Sequence, residues 1–170
     1  ALALFNQVEQ VYSNLYGTET PNYAGVLTNI ANIQVRNGEY AKAMDNYEKA
    51  LEIYTNVYED DESDQVATVR INLANLRLQQ KDYKKAEELL KKSAEKKKAV
   101  HGEDSHQYAV AITNLAEVYL KMNKHDEAIE LFTVASNIYK PKKPGQYHDE
   151  YAALSNNLAK TYTAKGDYAT

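Results

Sequence analysis

Apolar and small residues recur along this chain at helical rather than strand spacing. Tyr40, Ala43, Tyr47 and Ala50 stand three or four residues apart, which puts them on one helix face. Ile30 and Ala31 belong to an earlier segment of the same kind. The pattern predicts one helix over about Tyr23 to Arg36 and a second over about Tyr40 to Val57. Asn37-Gly38 separates them and can supply a left-handed turn.

This pair of helices then repeats. Asn29-Ile30-Ala31, Asn72-Leu73-Ala74, Asn114-Leu115-Ala116 and Asn157-Leu158-Ala159 follow one another at spacings of 43, 42 and 43 residues. Seven residues before each Ala stands another: Ala24, Ala67, Ala109 and Ala152. Downstream, Tyr40, Tyr83, His125 and Tyr168 share a register, as do Ala43, Ala86 and Ala128. Tyr47, Leu90 and Phe132 correspond next, then Ala50, Ser93 and Ala135. Lys81-Asp82, Asn123-Lys124 and Gly166-Asp167 take the hinge position. Alanine at matching sites lets two helix backbones approach, and the aromatic residue after each hinge is assigned to packing beside them. A single hairpin cannot bury its apolar face, whereas a stack can. The chain is expected to be all-α: eight helices and no strand, forming a right-handed superhelical solenoid of antiparallel hairpins. The register divides it into 1–21 (second helix of a preceding repeat), 22–64, 65–106, 107–148 and a partial repeat 149–170. Arg70 and Ser155 break the pattern where Leu27 and Ile112 stand elsewhere. Looser packing, or an Arg70 reaching outward, is expected there.

Composition sharpens this picture. Only 6 Gly and 3 Pro occur in 170 residues, and the three prolines lie between the periodic segments. A hydrophobic content of 44% suffices for a core. The net charge of -4 argues against a nucleic-acid binder, which needs excess cation. With no cysteine there is no disulfide framework, thiolate zinc site or cysteine nucleophile. The mean hydropathy of -0.66 and the lack of a long apolar run argue against a membrane span. No signal-peptide pattern opens the chain, and a cytoplasmic location is expected. Ala1 stands where an initiator Met is usual, and a fragment or processed form of a longer parent chain is expected.

The repeat resembles the tetratricopeptide repeat family. That family's signature runs aliphatic, small, aromatic, Gly, Tyr, Ala, aromatic, Ala. The first unit offers Ile30, Ala31, Gly38, Tyr40, Ala43, Tyr47 and Ala50, and the third offers Leu115, Ala116, Tyr119, His125, Ala128, Phe132 and Ala135. The usual period is 34; here it is about 42, which is similar to the kinesin light chain type of repeat. That type carries a Gly-x-x-His-Pro-like connector. Gly17 to Pro21 lacks its His, and Gly102 to His106 has Ser105 and His106 where the family has His and Pro. The resemblance implies a non-catalytic scaffold or adaptor that holds short acidic peptides, with an aromatic anchor, on its first helices. Another branch of the family clamps a C-terminal carboxylate with Lys and Asn, but Thr28 stands where that clamp wants Lys.

No catalytic constellation stands out: there is no Gly-rich phosphate loop and no His-Glu-x-x-His pair. The chain is expected to be no enzyme and to need no cofactor or metal. His101 and His106 flank Glu103 and Asp104, and the simplest reading is an exposed connector. Three charged clusters are read as solvated: Glu59-Asp60-Asp61-Glu62, Lys91-Lys92 with Lys96-Lys97-Lys98, and Lys140, Lys142 and Lys143. Docking of an acidic partner, such as a tubulin tail or lipid headgroups, is the alternative for the two basic clusters.

The repeated Asn points to a binding face. Residues three and seven further on share its side of the helix. The face so defined carries Asn29, Asn32 and Arg36; Asn72, Asn75 and Gln79; Asn114, Glu117 and Lys121; Asn157 and Lys160. An amide both donates and accepts, so a row of them can hold the main chain of an extended peptide. The competing reading is that each Asn bonds a neighbouring helix and aligns the repeats. Arg36, Lys121 and Lys160 outnumber Glu117, which suggests an acidic linear motif as partner. The alternative function is a structural subunit using its ends and convex surface, by end-to-end self-association or continuation of the parent chain.

Overall fold

The structure, a computed structural model, describes residues 2–58, 63–140 and 148–166, and the side chains of 7–58, 63–140 and 149–166. Among the described residues there are eight helices and no strand: α1 (Leu2–Tyr16), α2 (Pro21–Arg36), α3 (Tyr40–Tyr58), α4 (Asp64–Gln79), α5 (Tyr83–His101), α6 (His106–Lys121), α7 (His125–Tyr139) and α8 (His148–Lys165). The all-α expectation holds, and the first two helices of the repeat fall within two residues of their expected ends. The acidic run 59–62, Lys142, Lys143, Asp167 and Tyr168 lie outside the described residues, as does the side chain of His148.

Three of the first helices, α2, α4 and α6, start on a hydroxyl. Thr20, Ser63 and Ser105 share one register position, and their oxygens accept from the backbone N–H of Tyr23 (3.3 Å), Val66 (3.2 Å) and Tyr108 (3.2 Å). Such a cap is worth about 1 kcal/mol. Ser105, which departs from the family connector, therefore has a local task of its own. Pro21 follows Thr20 at the first helical position, where its fixed φ and missing donor suit the helix.

Each first helix is followed by a residue of positive φ: Gly38 (78°), Lys81 (63°), Asn123 (59°) and Gly166 (85°). This is the C′ position of a Schellman turn. The next N–H closes back on the helix in three of them: Glu39 to the Gln34 carbonyl at 2.8 Å, Asp82 to Arg77 at 2.9 Å and Lys124 to Tyr119 at 2.9 Å. The expected left-handed hinge is thus found even where Lys81 must adopt it.

The chain forms two compact units, Ala1–Leu76 and Arg77–Thr170. In the first, α1 packs on α2 and α2 on α3. Ala24, Ala31, Ala43 and Ala50 are fully buried where the helices meet, with Leu27, Ile30, Tyr47 and Ile53 around them. The Tyr23 hydroxyl donates to Glu9 of α1 at 3.0 Å, and burial followed by that bond pushes it up to about 12.

In the second unit α5 packs on α6, α6 on α7 and α7 on α8. Ala86, Ser93, Ala109, Ala116, Ala128 and Ala135 are fully buried, and Leu90 and Phe132 fill the spaces beside them. Glu87 of α5 binds Lys91 at 2.7 Å and reaches Lys124 at 3.5 Å. Both ammonium groups lie over the Tyr119 ring, at 5.9 and 5.1 Å from its centre. This cluster ties the α6–α7 hinge to α5 through charge and aromatic contact.

Four expectations need correction. Tyr40, assigned to packing, is 43% exposed, whereas Tyr83 and His125 at the same register are half-buried. Arg70 does not reach outward: it is 5% exposed, and burial lowers its pKa. Lys97 is 5% exposed inside a run read as solvated, since it falls on the apolar face of α5. Ala152 and Ala159 of α8 are exposed, unlike their counterparts in the earlier units.

Candidate functional site

In the first unit the expected polar face divides into two kinds of residue. Asn29, Arg36 and Asn75 are exposed, while Asn32 and Asn72 are half-buried. The Asn32 Oδ1 accepts from the Tyr47 hydroxyl at 2.5 Å and from the Asn72 amide at 3.4 Å. These two asparagines therefore join α2, α3 and α4. Burial pushes the Tyr47 hydroxyl up to about 12, so it stays a donor at neutral pH.

Asn29 lines an open cleft of about 300 Å³ with Gly25, Thr28, Tyr54, Asp64, Gln65, Thr68 and Val69. The buried Tyr54 forms its floor. Gly25 lies beside that ring: a Cβ there would stand 3.4 Å from the Tyr54 hydroxyl, about van der Waals contact.

The second unit repeats this cleft. Val110, Thr113, Asn114, Glu117, Tyr139, Glu150, Ala153, Leu154 and Asn157 surround about 220 Å³ between α6 and α8. By register Asn114 matches Asn29, Thr113 matches Thr28, Tyr139 matches Tyr54, Leu154 matches Val69 and Glu150 matches Gln65. Asn114, Glu117 and Asn157 are brought together here, all half-buried, while Gln79, Lys121 and Lys160 are exposed. Burial pushes the Glu117 carboxyl above its usual range, and Lys121 pulls it partly back. Among the described residues, the side chains of Asn29, Asn114, Asn157 and Glu117 make no hydrogen bond or ion pair.

Sequence reasoning missed the floor and part of the rim. Tyr54 and Tyr139 each stand 25 residues after the cleft Asn, so the repeat register carried the signal. Lys97 takes that register in the intervening repeat. Asp64 and Glu150 open α4 and α8 and face the clefts from the far wall. Each cleft thus combines an unengaged amide, an aromatic floor and at least one carboxylate. Such a site can hold a peptide main chain and seat a side chain beside it. Among the described residues no group of three or more His, Asp or Glu is placed to hold a metal ion. No described helix is long and apolar enough to cross a membrane.

Comparison with solved structures finds this fold repeatedly. BtubC (BKLC) from P. vanneervenii has a TM-score of 0.87 and is 28% identical, over 97% of this chain and 65% of that one. The chain therefore spans less than two thirds of the length of BtubC. A putative kinesin light chain of Podosopora anserina with nearly identical TPR-like repeats has a TM-score of 0.81 at 20% identity, over 97% of this chain and 77% of that one. The apo form of RapI has a TM-score of 0.83 at 17% identity, over 99% of this chain and 58% of that one. No curated protein sequence matches. The tetratricopeptide repeat family model matches residues 1–56 and 65–140. Its members are protein–protein interaction modules, and the likeness to kinesin light chain-type repeats agrees with the 42-residue register. Hairpin alanines, left-handed hinges and the family match together place this chain in the tetratricopeptide repeat family.

Proposed function

We propose that this protein is a non-catalytic adaptor that binds a linear peptide on its first helices. The observation that carries the reading is the recurrence of one cleft in both units. Each has an Asn whose amide makes no hydrogen bond among the described residues, over a buried tyrosine. Helix-aligning residues would have spent their amides on neighbours, as Asn32 and Asn72 do. Asn29, Asn114 and Asn157 hold the peptide backbone. The exposed Arg36, Lys121 and Lys160 favour acidic residues elsewhere in the ligand. Kinesin light chain-like cargo binding is the nearest analogy, and it rests on likeness of fold.

The test is a screen of a random peptide library against the 170-residue protein, with the hits mapped by amide chemical shifts. Hits of micromolar affinity that shift Asn29, Asn114 and Asn157 are the expected result, since an unstructured peptide must order on binding. Hits confined to the second helices, or no hits together with self-association, would favour a structural subunit.

A further inference from the structure

The two clefts share a frame but differ in charge. At the register of Asn32 the second unit has Glu117, and at that of Gln65 it has Glu150. Asn32 is engaged by Tyr47 and Asn72, whereas Glu117 is half-buried beside the α6–α8 cleft with no hydrogen bond or ion pair among the described residues. The walls between these carboxylates are apolar: Val110, Ala153 and Leu154. At about 220 Å³ the space suits one long side chain rather than a whole small molecule.

We infer that the α6–α8 cleft receives a basic side chain, arginine or lysine, from the bound peptide. The assignment rests on the peptide-binding reading above and adds a specificity pocket to it. The aliphatic stem lies along Val110, Ala153 and Leu154. Its cationic head meets Glu117 and Glu150 beside the Tyr139 ring, and the amides of Asn114 and Asn157 hold the main chain on either side. A carboxylate that has lost part of its water gains more from an incoming cation than an exposed one does. Burial holds the Glu117 carboxyl above its usual range, and Lys121 offsets this only in part. The α2–α4 cleft has Asp64 as its single carboxylate among the lining residues, so it binds the same group more weakly.

The experiment titrates the isotope-labelled protein with N-acetyl-arginine N-methylamide and with its citrulline counterpart, which keeps the shape and lacks the charge. The expected result is saturable movement of the Asn114, Glu117 and Asn157 backbone amides by the arginine compound. Citrulline, or the variant Glu117→Gln, should weaken it by about tenfold, the effect of losing a charge-assisted hydrogen bond. Glu150→Gln serves as a second variant. Equal binding of citrulline, unchanged binding in both variants, or shifts scattered over other surface carboxylates would overturn the assignment. Equal saturation by putrescine would also overturn it, in favour of a free diamine. The peptide screen is independent of this titration. Selected peptides that bind the first helices without any basic residue would remove the pocket and leave the adaptor reading standing.

Discussion

Lys81 shows how strongly the hairpin geometry is imposed. Its φ of 63° occupies a place where two other repeats use Gly. The left-handed region costs a side-chain-bearing residue about 1 kcal/mol or more. Lys81→Gly should therefore stabilise the protein by up to about 1 kcal/mol, and Gly38→Ala should destabilise it similarly; urea denaturation checks both. Tyr47 offers a second residue-level test. Its hydroxyl donates to Asn32 from a buried ring, and Tyr47→Phe should cost about 1 kcal/mol while keeping the packing. Glu117 has the opposite sign. Its carboxyl is harder to ionise folded than unfolded, so folding holds the proton more tightly. Stability is then highest at pH below the ordinary carboxylate range, falls as pH rises through the raised folded value, and stays lower above it. Glu117→Gln should accordingly melt higher than the parent at pH 7, with the difference vanishing near pH 4. A parent that melts higher at neutral pH would mean that Glu117 is satisfied in the native state.

At the scale of helices, the fully buried alanines set how closely neighbouring helices pack. Ala74→Leu or Ala116→Leu should cost about 1–3 kcal/mol by overfilling that contact. Ala159→Leu, at the same register in α8 but exposed, should be close to neutral. Thermal melting of the three variants separates contact from register. Most of this level was legible in the sequence. Asn37-Gly38 and the recurring Ala positions marked the helix ends and the close faces. What periodicity leaves open is how a given side chain meets the neighbouring helix. Arg70 and Lys97 read as polar yet lie inside, because a long aliphatic stem can pack along apolar neighbours. Tyr40 reads as apolar yet is largely exposed, while Tyr83 and His125, which also begin their helices, are half-buried. The site was legible in part for the same reason. The register named Asn29, Asn114, Glu117 and Asn157, but Asn32 and Asn72 share that face and are engaged with each other. Tyr54 and Tyr139 reach the clefts from second helices, which no pattern along the first helices could show.

For the molecule as a whole, we propose that its first helices read a peptide. Exposed Arg36, Lys121 and Lys160 make added salt weaken an acidic ligand. The most direct measurement is the affinity of a library-selected peptide for the parent, Asn114→Ala and Asn72→Ala, with melting followed in parallel. Asn114→Ala should lose about 1–3 kcal/mol of binding and little stability, since its amide makes no hydrogen bond among the described residues. Asn72→Ala should lose stability first, because its amide bonds Asn32. An Asn114→Ala protein that keeps full affinity, or unfolds as readily as Asn72→Ala, would contradict the account and make the asparagine row a device for aligning helices.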